Sequence, residues 1–119
     1  MTLAEYKIQA SRTCPTINNE IPIFDIHHML MGMTTELGEL TDVFKKNLAY
    51  GKPVDFVNVG EEVADLMWYI INFCTMSNID LEEQLQKNID KLRARFPEKF
   101  EQHMALNRDT DAERRILEA

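Results

Sequence analysis

The hydrophobic positions of the chain recur at intervals of three and four residues, a pattern that predicts amphipathic helices. The longest run predicts a helix over residues 24–49, and the next predicts one over residues 55–76. Gly51 and Pro53 separate the two, because glycine commonly ends a helix and proline prevents its continuation, and Asp55 can cap the second helix. A further helix is predicted over residues 80–96, and no strand pattern competes with these elements. The predicted fold class is therefore all-α.

The two ends of the chain carry weaker patterns. Residues 2–13 predict a short first helix, and residues 109–118 predict a last short helix or an arm on a partner subunit. Residues 15–23 are predicted to be irregular, since two prolines and two asparagines oppose a continuous helix there: Pro15, Asn18, Asn19 and Pro22.

At 119 residues the chain has the length of a single domain. We expect one domain over residues 1–119, built as a bundle of four main helices. Its core is expected over residues 24–100, followed by a C-terminal arm over residues 101–119. Small helical domains often complete their cores by association, so a homo-oligomer is also expected.

The formal charge of -7 argues against a broad electrostatic contact with nucleic acid or with an anionic membrane. It leaves a phosphate substrate possible, because bound divalent cations reverse the local field. The sequence has no apolar run long enough to span a bilayer. Cys14 and Cys74 form neither a disulfide framework nor a zinc motif, and Cys74 is expected to be a buried thiol. These features favour a reducing cytoplasm.

Two pairs of acidic residues, Glu36 with Glu39 and Glu62 with Asp65, have the spacing that places side chains on one helix face. Four carboxylates gathered inside a bundle would repel one another strongly unless a cation neutralised them. All-oxygen ligands suit hard ions such as Mg²⁺ or Mn²⁺. Acidic pairs also arise by chance among 20 acidic residues, so a solvated helix face remains the alternative to a metal site.

The predicted helix over residues 80–96 carries polar groups of complementary chemistry. Asn88, Lys91 and Arg95 form a single stripe beside the apolar face, and such donors suit a polyphosphate chain. The alternative is an ordinary basic stripe near a helix C-terminus, where positive charge is favourable in any case.

The order of these motifs resembles the MazG-type nucleoside triphosphate pyrophosphohydrolases, a family of all-α enzymes. The resemblance rests on Glu36-x-x-Glu39, Glu62-x-x-Asp65 and the run from Asn88 through Lys91-Leu-x-x-Arg95-Phe-Pro. It covers residues 27–100 well, whereas residues 1–26 match nothing in the family pattern.

The resemblance implies hydrolysis of a nucleoside triphosphate between its α and β phosphates, which yields a nucleoside monophosphate and pyrophosphate. It implies Mg²⁺ as the cofactor, with Mn²⁺ as a substitute, held by Glu36, Glu39, Glu62 and Asp65. One carboxylate is expected to accept a proton from the attacking water; Glu39 is preferred, and Glu61 is its rival.

The resemblance also implies contacts with the rest of the substrate. Lys91 and Arg95 match phosphate-contacting positions, with Asn88 as a secondary contributor, and Tyr69 matches a position that lines the nucleoside pocket. Trp68 is expected either to stack on the base or to fill a dimer core. The family assembles as dimers or dimers of dimers.

Two other functions remain open from the sequence. One is a non-catalytic helical dimer that binds a nucleotide or a protein. The other is a metal-dependent phosphohydrolase that acts on a different nucleotide and therefore releases different products.

Overall fold

A computed structural model of the protein describes residues 1–17 and 20–119, and these residues form helices and no strands. The predicted all-α class is confirmed. The described residues contain six helices, so the predicted count of four main helices is not confirmed. The helices are α1 (Leu3–Ser11), α2 (Pro22–Tyr50), α3 (Phe56–Met76), α4 (Leu81–Arg95), α5 (Gln102–Leu106) and α6 (Thr110–Glu118).

The chain forms two compact units, residues 1–79 and residues 80–119. The first contains α1, α2 and α3, and the second contains α4, α5 and α6. A single domain with an arm from residue 101 stays a prediction. No helix in the described part of the chain is long and apolar enough to cross a membrane.

A tight turn joins α2 to α3 and uses the residues that the sequence suggested. Gly51 takes the left-handed conformation, with φ of 68°, and its N–H donates to the carbonyl of Asn47. The side chain of Asp55 caps α3 by accepting hydrogen bonds from the N–H groups of Val57 and Asn58. Because four N–H groups at a helix start lack partners within the helix, this cap fixes where α3 begins.

The start of α2 corrects the prediction of an irregular segment through residue 23. The helix begins at Pro22 rather than at residue 24, because proline at the first helical position loses no hydrogen bond that the helix needs. Pro15 lies in an irregular stretch, as predicted, and the two remaining helix breakers, Asn18 and Asn19, lie outside the described residues.

Within the first unit, α1 and α2 both pack on α3. The buried hydrophobic residues of this unit come from all three helices: Ala10, Met29, Ile71 and Cys74. The indole Nε1–H of Trp68 donates to the hydroxyl of Thr13 at 3.1 Å, which ties the end of α1 to α3. Cys74 is a free, buried thiol, as predicted.

Within the second unit, α4 packs on α6 around one buried carboxylate. Glu113, only 4% exposed, accepts hydrogen bonds from Arg95 Nε at 2.7 Å and from Arg95 Nη2 at 3.1 Å. Arg108 also donates to both oxygens of Glu113. The two guanidinium groups, Arg95 first, lower the pKa of Glu113 to about 2. This carboxylate therefore holds α6 against α4.

Replacing Glu113 by Gln should lower the melting temperature of the protein at pH 7, because two guanidinium groups lose their shared anion. Since the folded-state pKa lies below the ordinary value of 4.5, the ionised carboxylate stabilises the fold above pH 4.5. That contribution is lost as the pH falls from 4.5 toward about 2. Thermal unfolding followed by circular dichroism should show that the difference in melting temperature between wild type and Glu113→Gln narrows as the pH falls through this range.

The matched control is Glu118→Gln on the same helix, whose exposed pairing with Arg114 should contribute little at any pH. If the difference in melting temperature between wild type and Glu113→Gln stayed constant through the acid range, the assigned ion pair would be contradicted.

Candidate metal centre

The α2–α3 hairpin gathers carboxylates from both of its helices. Contacts pair Gly32 with Tyr69 and place Glu36 beside Glu62 and Asp65, so the two helices run antiparallel. One oxygen of each of these three carboxylates lies within 4.8 Å of the others. The structure thus brings together three of the four ligands that the sequence suggested.

Burial and the neighbouring carboxyl groups both disfavour the ionised forms of Glu36 and Glu62. Glu62 is 8% exposed, and burial raises its pKa to about 7, with further contributions from the carboxyl groups of Glu39 and Glu36. Burial also raises the pKa of Glu36, and the charges of Glu39 and Asp65 add to the effect. In the absence of a cation, the cluster is more stable near neutral pH with one proton bound than fully ionised.

The fourth suggested ligand, Glu39, lies one helical turn after Glu36 and beside the cluster. Its carboxyl group is close enough to interact with both Glu36 and Glu62, although its side chain is exposed. Glu61, the other candidate proton acceptor, is exposed on α3 next to buried Glu62. Of the two candidates, Glu39 is the one whose charge reaches the cluster.

A cleft of about 690 Å³ opens from the carboxylates along the hairpin toward its turn. Glu39 and Glu62 line one part of it, and three lysines line the part nearest the turn: Lys45, Lys46 and Lys52. The remaining lining residues are Thr35, Gly38, Asp42, Val43, Pro53, Asp55 and Asn58. Acidic side chains therefore line one part of the cleft, and basic side chains line the other.

At the other side of the carboxylates the hairpin carries aromatic side chains. Tyr69 lies one turn after Asp65 on α3 and is half-buried, with its ring edge-on to Trp68 at 4.9 Å between centroids. His28 also faces the Tyr69 ring, and its Nδ1 is buried with no hydrogen-bond partner in the described part of the chain. The two suggested nucleoside contacts, Trp68 and Tyr69, thus adjoin each other.

Gly32 permits this arrangement and was missed by the sequence analysis. A Cβ atom at this position would overlap the ring of Tyr69, so the ring lies directly against the backbone of α2. The available signal was a glycine inside a strongly amphipathic helix, where it costs stability unless close packing requires it.

The three suggested phosphate contacts all lie on α4, in the second unit. Asn88 is exposed and Lys91 is half-buried. The side chain of Arg95 is only 16% exposed and donates through Nε and Nη2 to Glu113. Because a guanidinium has five N–H donors, this pairing leaves further donors for another anion.

The chemistry of the cluster fits a hard divalent cation. The buried oxygens Glu36 Oε2 and Glu62 Oε2 have no hydrogen-bond partner among residues 1–17 and 20–119. Buried polar atoms are normally satisfied, and each unsatisfied carboxylate oxygen carries a substantial desolvation cost. Oxygen atoms from three carboxylates are the donors that Mg²⁺ and Mn²⁺ prefer, and a cation would supply the missing partner.

Carboxylates that project inward from facing helices define a class of all-α proteins with a carboxylate metal site. The model of the MazG nucleotide pyrophosphohydrolase domain matches residues 24–100, a stretch that contains the α2–α3 hairpin and α4. The chain therefore belongs to the MazG nucleotide pyrophosphohydrolase domain family, and the resemblance found in the sequence is confirmed. Neither a curated protein nor a solved structure matches the chain significantly.

Replacing Gly32 by Ala should destabilise the protein by about 1–3 kcal/mol, the usual cost of forcing an extra carbon into a packed site. In a Tyr69→Ala background the overlap is gone, so the same change should become neutral or stabilising by up to about 1 kcal/mol. Chemical denaturation of the four proteins in this double-mutant cycle measures the difference.

Gly60→Ala on α3 is the control, because a Cβ at this position meets no atom within 4 Å. If Gly32→Ala lowered the free energy of unfolding equally with and without the Tyr69 ring, the ring would not lie against α2.

Proposed function

We propose that this protein hydrolyses nucleoside triphosphates between the α and β phosphates, with Mg²⁺ as the cofactor and Mn²⁺ as a substitute. The products are a nucleoside monophosphate and pyrophosphate. The observation that carries the proposal is the cluster of Glu36, Glu62 and Asp65 inside the family match. The family's description as a nucleotide pyrophosphohydrolase domain supports the reaction class.

In this proposal Glu36, Glu39, Glu62 and Asp65 hold the cation. Glu36 and Glu62 supply the oxygens that otherwise lack partners, and exposed Asp65 and Glu39 border the substrate. When bound, the cation supplies Lewis acidity and offsets negative charge on the phosphates.

The proton of the attacking water passes to a carboxylate of the chain, and we assign this role to Glu39. Its interaction with Glu62 and Glu36 supports the assignment, since a general base must lie within reach of the reacting water. Glu61 is the second choice, because it is exposed and adjoins the cluster only through the backbone of Glu62.

The remaining substrate contacts are proposed from the family pattern. Lys91 and Asn88 contact phosphate oxygens, and Arg95 does so with the donors that Glu113 leaves free. Tyr69 and Trp68 line the nucleoside pocket; the position of Tyr69 one turn from Asp65 supports this role.

We further propose assembly as a homodimer or as a dimer of dimers. Around the α2–α3 turn, large apolar side chains are strongly exposed: Leu48 (89%), Tyr50 (75%), Phe56 (72%) and Val57 (84%). Several large apolar side chains exposed around one turn support an interface there, and light scattering of the purified chain measures its mass.

The proposed reaction is tested by incubating the protein with Mg²⁺ and a panel of ribo- and deoxyribonucleoside triphosphates. Pyrophosphate and monophosphate should appear in equal amounts, and the panel ranks the bases. Glu62→Gln and Glu39→Gln should each lower the turnover rate by about 100-fold or more, since even the loss of a supporting group at a metal site costs about 10- to 100-fold.

Glu5→Gln on α1 is the control for loss of one acidic group, because its carboxylate caps the start of that helix. Release of orthophosphate would show that a different bond is cleaved. Absence of products with both Mg²⁺ and Mn²⁺ would favour the non-catalytic alternative.

A further inference from the structure

The α2–α3 hairpin has two chemically different ends with the carboxylate cluster between them. Along α3, Asn58, Glu62, Asp65 and Tyr69 recur at intervals of four, three and four residues and so share one face. The aromatic end begins at Tyr69, and the other end lies beyond Asn58, at the turn. A linear ligand on this face would meet the two ends with different parts of its structure.

The end nearest the turn is basic, and its charges are held in place. Asp42 pairs with Lys45 at 3.0 Å and with Lys46 at 2.7 Å. These lysines, Lys46 first, lower the pKa of Asp42, so its carboxylate is ionised at neutral pH and keeps both ammonium groups at the rim. Two cations share a single anion, which leaves positive charge available to a ligand.

The third lysine, Lys52, is carried by a fixed loop. Its carbonyl accepts a hydrogen bond from Asn47 Nδ2 at 2.7 Å, and its own N–H donates to the carbonyl of Lys46. Its ammonium group makes no ion pair within the described ranges 1–17 and 20–119. Asp55 lines the same part of the cleft, and its carboxylate accepts hydrogen bonds from the N–H groups at the start of α3.

The spacing of these groups along α2 matches a phosphate chain that starts at the carboxylates. Lys46 follows Glu39 by seven residues, about two helical turns or roughly 10 Å along the axis. A long lysine side chain can span part of that distance, so an anion that begins at Glu39 can reach the ammonium group. Both residues line the same cleft.

We propose that Lys45, Lys46 and Lys52 form a subsite for the terminal two phosphates of the substrate, the part that leaves as pyrophosphate. The nucleoside then lies toward Tyr69, and the α phosphate lies at the carboxylates. This inference rests on the proposed function, and it adds the direction in which the substrate lies along the hairpin.

The test is calorimetric titration of magnesium pyrophosphate into Lys46→Ala, Lys52→Ala and wild type at low salt. Each substitution should weaken pyrophosphate binding about three- to tenfold, the range for exposed and partly exposed charge pairs. Lys46→Arg should retain most of the affinity, because it keeps the charge. Lys7→Ala on α1 is the matched control for the loss of one exposed lysine and should bind as wild type does.

Where the protein turns over triphosphates, product inhibition supplies the second readout. Lys46→Ala and Lys52→Ala should weaken inhibition by pyrophosphate and leave inhibition by the nucleoside monophosphate unchanged. The reverse result, weaker inhibition by the monophosphate alone, would overturn the proposed direction of the substrate.

Two outcomes distinguish an incorrect phosphate subsite from an incorrect reaction. An active enzyme whose pyrophosphate affinity is the same in wild type, Lys46→Ala and Lys52→Ala would overturn the subsite alone. An inactive protein that nevertheless binds pyrophosphate through these lysines would keep the subsite and remove the proposed reaction.

Discussion

Repulsion among closely packed carboxylates is the constraint around which the first unit of this protein is organised. Glu36, Glu62 and Asp65 bring ligand oxygens within 4.8 Å of one another, and burial raises the pKa values of Glu36 and Glu62. Such a cluster is costly in a metal-free protein, since it must either hold a proton or leave buried oxygens unsatisfied. A divalent cation removes both costs at once, which ties the stability of the hairpin to its chemistry.

The surrounding structure fixes the carboxylates in place. The turn at Gly51 and the cap at Asp55 set the register of α3 against α2. On the far side of the cluster, Gly32 lets the Tyr69 ring lie directly against α2. The hairpin carries aromatic side chains on one side of the carboxylates and, along the cleft toward the turn, lysines on the other. The two ends of the hairpin therefore differ in chemistry.

Local signals in the sequence predicted much of this arrangement. The helix-ending glycine, the proline after it and the capping aspartate determine the α2–α3 turn through short-range interactions, and the spacing of the acids placed them on facing helices. Pro22 was misjudged, because proline breaks a helix interior but is favourable at its first position.

Long-range contacts could not be predicted in the same way. Glu113 lies 18 residues from Arg95, and no spacing rule links a polar C-terminal segment to one arginine of a basic stripe. The short helix α5 was also missed, since five residues in a polar segment carry too little periodicity to be recognised. The role of Gly32 depends on the ring of Tyr69, which lies on a different helix, and it becomes visible only once the two helices are packed.

The central claim is that these carboxylates bind one divalent cation together, and Mn²⁺ uptake followed by electron paramagnetic resonance tests it most directly. Wild type should remove free Mn²⁺ from solution at neutral pH, and Glu62→Gln should lose most of that binding. Glu61→Gln, the neighbouring acid outside the cluster of three, should bind as wild type does. Equal uptake by wild type and Glu62→Gln would contradict the account, because the most buried carboxylate would then play no part in holding the ion.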